Sequence, residues 1–149
     1  MKSPTQHGAP RRVLYLEDNA SDADLGQRAL ARNAPETAVE VVSSVAAARE
    51  RLQVGAADFD IVLADLNLPD GSGLDLLAHV RGQGLPLAFV VLTGSGDEAS
   101  ALTALKAGAD DYLSKHGNYG ERLARVLAAA LDRFRTRSAR QGRLMRVLY

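Results

Sequence analysis

Cysteine is absent from the 149 residues, which excludes a disulfide framework and any thiolate metal site. Net charge is absent as well. The 18 basic and 18 acidic residues balance, so no overall field draws the chain to nucleic acid or to an anionic membrane surface. No run is long and apolar enough to span a bilayer, and the polar stretch Met1 to Pro10, broken by Pro4, Gly8 and Pro10, lacks the apolar core of a signal peptide. The expectation is a cytoplasmic protein with a flexible leader over residues 1–10 and no membrane partner. What is present is the composition of an ordinary folded domain, 46% hydrophobic and 24% charged, in a length that fits one domain and an appendage.

Five short apolar runs predict strands: Val13 to Leu16, Val39 to Val42, Phe59 to Ala64, Leu87 to Leu92, and Tyr112 to Leu113. The first, third and fourth are apolar almost throughout, the pattern of strands buried on both faces, which implies a parallel sheet. Between them lie amphipathic stretches that predict helices: Asp22 to Asn33, Val45 to Val54, Leu74 to Arg81, Asp97 to Ala107, and a long one from Tyr119 onward. Ser21 with Asp24 has capping-box spacing, Gly55 and Gly108 suit helix ends, and Leu68-Pro69-Asp70-Gly71 is turn chemistry. The fold class is therefore α/β, an open doubly wound sheet of five βα units, whose ligands bind beyond the carboxyl ends of the strands.

Those ends carry Glu17 and Asp18, then Asp65, Thr93 and Lys115. Each has an ordinary reading when taken singly: a solvated acid pair, a turn residue, a cap, a surface lysine. Their joint placement at strand ends changes the balance. Three carboxylates in one crevice repel each other unless a cation neutralises them, and oxygen-only ligands without His or Cys favour a hard ion such as Mg²⁺. A dinucleotide-binding fold needs a glycine-rich turn after the first strand, whereas Glu17-Asp18-Asn19-Ala20-Ser21-Asp22 would repel a pyrophosphate. His7, His79 and His116 form no metal-ligand spacing, and neither a serine elbow nor a second metal cluster supports a hydrolase acting on an external substrate.

Four segments, Leu14-Tyr15-Leu16-Glu17-Asp18-Asn19, Val62 to Gly73, Val91-Leu92-Thr93-Gly94 and Gly108 to Lys115, resemble the receiver domains of bacterial response regulators in order and spacing. The resemblance covers about residues 12–131 and implies a flavodoxin-like strand order 2-1-3-4-5. It implies that Asp65 is the nucleophile, taking a phosphoryl group from the phosphohistidine of a histidine kinase or phosphotransfer protein. Asp18 and Asp65 would hold Mg²⁺, with Glu17 directly or through water and the Asn67 backbone carbonyl as a further oxygen. Lys115 and the Thr93 hydroxyl would meet the phosphoryl oxygens. Tyr112 matches the aromatic that swings inward as the threonine moves, and the signal would leave through the fourth helix, fifth strand and fifth helix. Such a module catalyses only its own phosphorylation and dephosphorylation. The alternative is a constitutive scaffold that keeps the fold and has lost the switch.

This chain departs from the family at His116, where proline commonly follows the lysine, often after a cis peptide. A cis bond without proline costs about 2.5–4 kcal/mol, so a trans bond is predicted, with an altered loop aiming Lys115. Glu17 stands where Asp is more frequent and adds one methylene. Leu123, Val126, Leu127, Ala130, Leu131 and Phe134 make an apolar stripe on the last helix. The domain is assigned to residues 11–131, and residues 132–149 read as a solvated basic connector helix containing Arg133, Arg135, Arg137, Arg140, Arg143 and Arg146. With no aromatic interleaving, nucleic-acid binding by this run is not expected. The closing Arg146-Val147-Leu148-Tyr149 repeats Arg12-Val13-Leu14-Tyr15, which suggests a second receiver beginning there and cut off, with an output domain further on. Asp110, Asp111, Arg122 and Arg125 offer charges for a homodimer through the same face, or for pairing within one chain.

Overall fold

A computed structural model describes the backbone of residues 10–148 and the side chains of residues 10–141. Five strands alternate with five helices: β1 Arg12–Leu16, α1 Ala20–Asn33, β2 Ala38–Val42, α2 Val45–Gly55, β3 Ile61–Asp65, α3 Gly73–Gly82, β4 Ala88–Thr93, α4 Glu98–Lys106, β5 Asp111–Ser114 and α5 Tyr119–Leu148. The strands are all parallel, as the apolar runs predict, and in the order β2-β1-β3-β4-β5 that the resemblance implies. No helix among the described residues is long and apolar enough to cross a membrane.

The period-two alternation of side chains across a strand divides the apolar runs between two cores. Leu14, Leu16, Val62, Ala64, Phe89 and Val91 face α2, α3 and α4. Val13, Tyr15, Ile61, Leu63, Val90 and Leu92 face α1 and the Leu123, Leu127, Ala130 and Leu131 stripe of α5. The three central strands are buried on both sides for that reason. β2 and β5 are the sheet edges and are only partly covered.

The helix ends carry one correction. The cap of α1 is Asn19, whose side chain accepts the Asp22 amide at 3.0 Å, and Ser21 lies inside the first turn. Asn caps as well as Ser, and starting two residues earlier brings the helix right up to the acidic loop. The full capping box belongs instead to α3, between Ser72 and Asp75. Asp70, in the predicted turn, accepts the Val45 and Ala46 amides at 2.9 and 3.0 Å and so caps α2 from the β3–α3 loop. Gly108 follows α4 with φ +109°, a conformation that favours glycine, as its helix-end assignment requires.

The start of the basic segment stays largely exposed, while Arg133 and Arg137 reach back to the domain. Asp110, whose carboxylate is buried, accepts from Arg81 at 2.9 Å, from Arg137 at 2.6 Å and from the Phe89 amide at 2.8 Å. Arg133 adds an ion pair to Asp111 at 3.1 Å and a bond to the Asp110 carbonyl. Arg81 and Arg137 both lie over the Phe134 ring. Asp110 and Asp111 are thus paired within the chain, and Arg122 donates to the His116 carbonyl. Residues 1–9 lie outside the described residues, and the side chains of the Arg146 to Tyr149 repeat lie outside the described side chains.

Candidate functional site

A parallel sheet brings all its strand ends to one edge, and there the polar residues gather. Glu17 follows β1 and is buried, its amide donating to the Val42 carbonyl at 2.9 Å. Asp18 beside it is exposed. Asp65 is the last residue of β3, and Thr93, buried, is the last of β4. The Lys115 amide donates to the Thr93 carbonyl at 2.8 Å, which continues the β4–β5 ladder one residue past the strand and fixes where the lysine stem starts.

From there the ammonium reaches across the crevice to Glu17 at 2.6 Å, Asp22 at 2.9 Å and Asp65 at 3.0 Å. All described peptide bonds are trans, Lys115–His116 included, as predicted without proline. The loop nonetheless aims the lysine at Asp65. The other Asp65 oxygen accepts the Asn67 amide at 3.4 Å. α3 begins close against Asp65: a Cβ at position 73 would lie 2.5 Å from the Asp65 carbonyl oxygen, so this approach needs glycine.

Glu17, Asp18 and Asp65 each present one carboxylate oxygen, and these oxygens lie within 4.8 Å of one another. Three hard oxygen donors at that spacing fit a divalent cation such as Mg²⁺. The electrostatics agree. Burial, with the Asp65 carboxyl beside it, pushes the Glu17 carboxyl up to about 7 against the opposing pull of Lys115. Burial alone would pull the Lys115 ammonium down, but its bonds to Glu17, Asp22 and Asp65 outweigh that and hold it well above its ordinary value. Beneath them the Tyr15 hydroxyl, raised by burial and by Glu17, shares its one proton between the Asp22 carbonyl at 3.3 Å and Glu17 at 3.5 Å.

The structure therefore brings together Glu17, Asp18, Asp65 and Lys115, with Thr93 on the adjoining strand end and the Asn67 amide on Asp65. Tyr112 lies apart, 44% exposed on β5, the edge strand. Asp22 is the contact that sequence reasoning missed. Its signal was the Asn19 cap: a helix starting at Ala20 puts Asp22 in its first turn, one turn after Asp18, on the side of the crevice.

The family model for the response regulator receiver domain matches residues 13–127. The transcriptional regulatory protein CutR of Streptomyces coelicolor is 41% identical over 117 residues, 78% of this chain and 52% of CutR. The response regulator protein PmrA of Pseudomonas aeruginosa is 39% identical over 117 residues, 78% of this chain and 51% of PmrA. The chain thus spans about half the length of these relatives. The phosphorylated cyanobacterial phytochrome response regulator RcpA is similar in structure, with TM-score 0.67, 27% identity, and coverage of 85% of this chain and 94% of RcpA. NtrX of Brucella abortus, 23% identical with TM-score 0.76 over 90% of this chain and 29% of NtrX, shares the fold.

Proposed function

Because the chain belongs to the response regulator receiver domain family, we propose that it is a phosphorylation switch in which Asp65 accepts a phosphoryl group from the phosphohistidine of a histidine kinase or phosphotransfer protein. The observation that carries this reading is the placement of Asp65 3.0 Å from the Lys115 ammonium and within the carboxylate triad. An Asp65 carboxylate oxygen attacks phosphorus, the P–N bond breaks, and the departing imidazole nitrogen keeps the electron pair and takes a proton from solvent.

Phosphoryl transfer depends on positioning and charge stabilisation. Lys115 meets one phosphoryl oxygen, and the Thr93 hydroxyl donates to another once it exists. Glu17, Asp18 and Asp65, with the Asn67 carbonyl, would hold a divalent cation, which when bound would supply positive charge against the phosphoryl oxygens. Hydrolysis of the aspartyl phosphate at the same site returns the chain to its resting state. All the groups this chemistry needs are present, which favours a working switch over a constitutive scaffold.

The switch works by stabilising one of two arrangements of the α4-β5-α5 face. The outward Tyr112 is one of them; the other draws it inward behind a displaced Thr93. Residues 11–131 form the receiver, and residues 132–149 connect it to an output region. CutR, of which this chain spans about half, is a transcriptional regulatory protein, and an output of that kind after α5 is the reading we favour, in the cytoplasm. The test is incubation with Mg²⁺ and a small phosphodonor. Acid-labile phosphate on the wild type but not on Asp65→Asn supports the reading; no labelling overturns it.

A further inference from the structure

An ammonium has three N–H donors, and Lys115 spends them on three carboxylates, Glu17, Asp22 and Asp65. Two of the three belong to the set that fits a divalent cation. Among the described residues, Asp22 is the Lys115 partner outside that set. From this we propose that Asp22 is a positioning residue for Lys115, keeping the ammonium over the crevice while the cation engages Glu17 and Asp65. The proposal rests on the phospho-accepting reading of Asp65.

Asp22 is built to be a fixed anchor. Its amide is capped by the Asn19 side chain at 3.0 Å, and its carbonyl accepts from the buried Tyr15 hydroxyl at 3.3 Å. Its main chain is therefore held from both sides, in the first turn of a helix packed on the core. Lys115 is the opposite case: a flexible four-carbon stem carrying a compact charge. Its backbone is set by the Thr93 carbonyl, but that bond does not choose where the ammonium points. With a cation in place, Glu17 and Asp65 share their charge with it and hold the lysine less firmly. Asp22, with its carboxylate 37% exposed and displaced to the helix side, keeps its whole charge for Lys115. A lysine held there already faces the incoming phosphoryl oxygen and loses little freedom when it binds.

The experiment uses the full chain, Mg²⁺ and phosphoramidate, with Asp22→Ala and Asp22→Asn. The expected result is a maximal rate of Asp65 phosphorylation lowered about tenfold by misplacement of the lysine, with half-saturating phosphoramidate unchanged. In a Lys115→Ala background the same substitutions are expected to have no further effect, because Asp22 acts through that lysine. A readout independent of turnover is the NMR signal of the Lys115 ammonium in the Mg²⁺-loaded, unphosphorylated chain: protected from exchange in the wild type and lost in both variants. Unchanged rates in the Asp22 variants, or an equal loss in the Lys115→Ala background, would overturn the proposal. So would a persistent ammonium signal. A wild type that takes no phosphate would instead sink the reading of Asp65, while the ammonium signal would still decide the role of Asp22.

Discussion

Lys115 at the end of β5 donates to Asp65 at the end of β3 over 3.0 Å, joining two residues 50 positions apart across the strand end that carries Thr93. The contact makes the lysine both a counter-ion and an aimed donor. Lys115→Ala is expected to slow phosphate acceptance about a hundredfold, the loss typical when one donor to a developing oxyanion is removed. It also leaves Glu17 and Asp65 facing each other without the ammonium. Melting without Mg²⁺ should occur at lower temperature than in the wild type, and added Mg²⁺ should raise it by more. Equal Mg²⁺ shifts in the two proteins would contradict this account of the crevice.

Gly73 sets how closely α3 can begin under Asp65. Gly73→Ala puts a methyl 2.5 Å from the Asp65 carbonyl oxygen, so the backbone at the acceptor must move. The expected cost is about 1–3 kcal/mol of stability, as for other overpacked sites, together with a slower phosphorylation rate. Denaturant unfolding and phosphodonor kinetics on the same variant check both. A stable variant with the wild-type rate would show that the loop absorbs the methyl freely.

Asp70 supplies the acid limb of the pH dependence. Its carboxyl is held below the ordinary 3.8 by the Ala46 and Val45 amides. An acid depressed on folding contributes stability at pH values above its unfolded pKa and loses it as pH falls through the lower folded value. Asp70→Ala should therefore melt below the wild type at neutral pH, and the gap should close on acidification below about 4. A gap that stays constant to lower pH would assign the effect to the shape of the loop, not to the carboxylate.

Asp110 ties the part of α5 beyond Leu131 to the rest of the domain. Its carboxylate is buried between Arg81 and Arg137, and Arg81 is itself partly desolvated. Removing the shared acid leaves the largely buried Arg81 guanidinium without its counter-ion, and Asp110→Ala should cost about 3 kcal/mol. Arg137 is half exposed, so Arg137→Ala should cost about 1 kcal/mol or less. Hydrogen exchange should then speed up in the part of α5 beyond Leu131 before it does in the strands. Uniform acceleration across the sheet would mean that the cluster supports the core instead.

All five strands and five helices were legible in the sequence because the apolar runs of β1, β3 and β4 are buried on both faces and the helical stripes are regular. The sheet edge that carries Glu17, Asp18, Asp65, Thr93 and Lys115 followed from strand polarity alone. What the sequence hid depends on distant partners. Asp110 sits in a segment that reads as part of a motif, and its pairing with Arg81, 29 residues earlier, has no local signal. Within the exposed basic run after Asp132, the reach of Arg137 back to Asp110 and of Arg133 to Asp111 has no local signal either. Asp22 was hidden by a shift of two residues in the helix cap, from Ser21 to Asn19, and with it the third anchor of Lys115. The reach of Lys115 was legible only once the Lys115–His116 loop could be traced to its contacts.

The central claim is that Asp65 is the phosphoryl acceptor, and phosphodonor labelling tests it most directly. Wild-type chain and Asp65→Asn are each incubated with Mg²⁺ and phosphoramidate, and acid-labile phosphate is measured on the intact protein by mass. The account predicts one phosphoryl group per wild-type chain when Mg²⁺ is present during labelling, none when Mg²⁺ is left out, and none on Asp65→Asn. Equal labelling of the two proteins, or none on either, would contradict it.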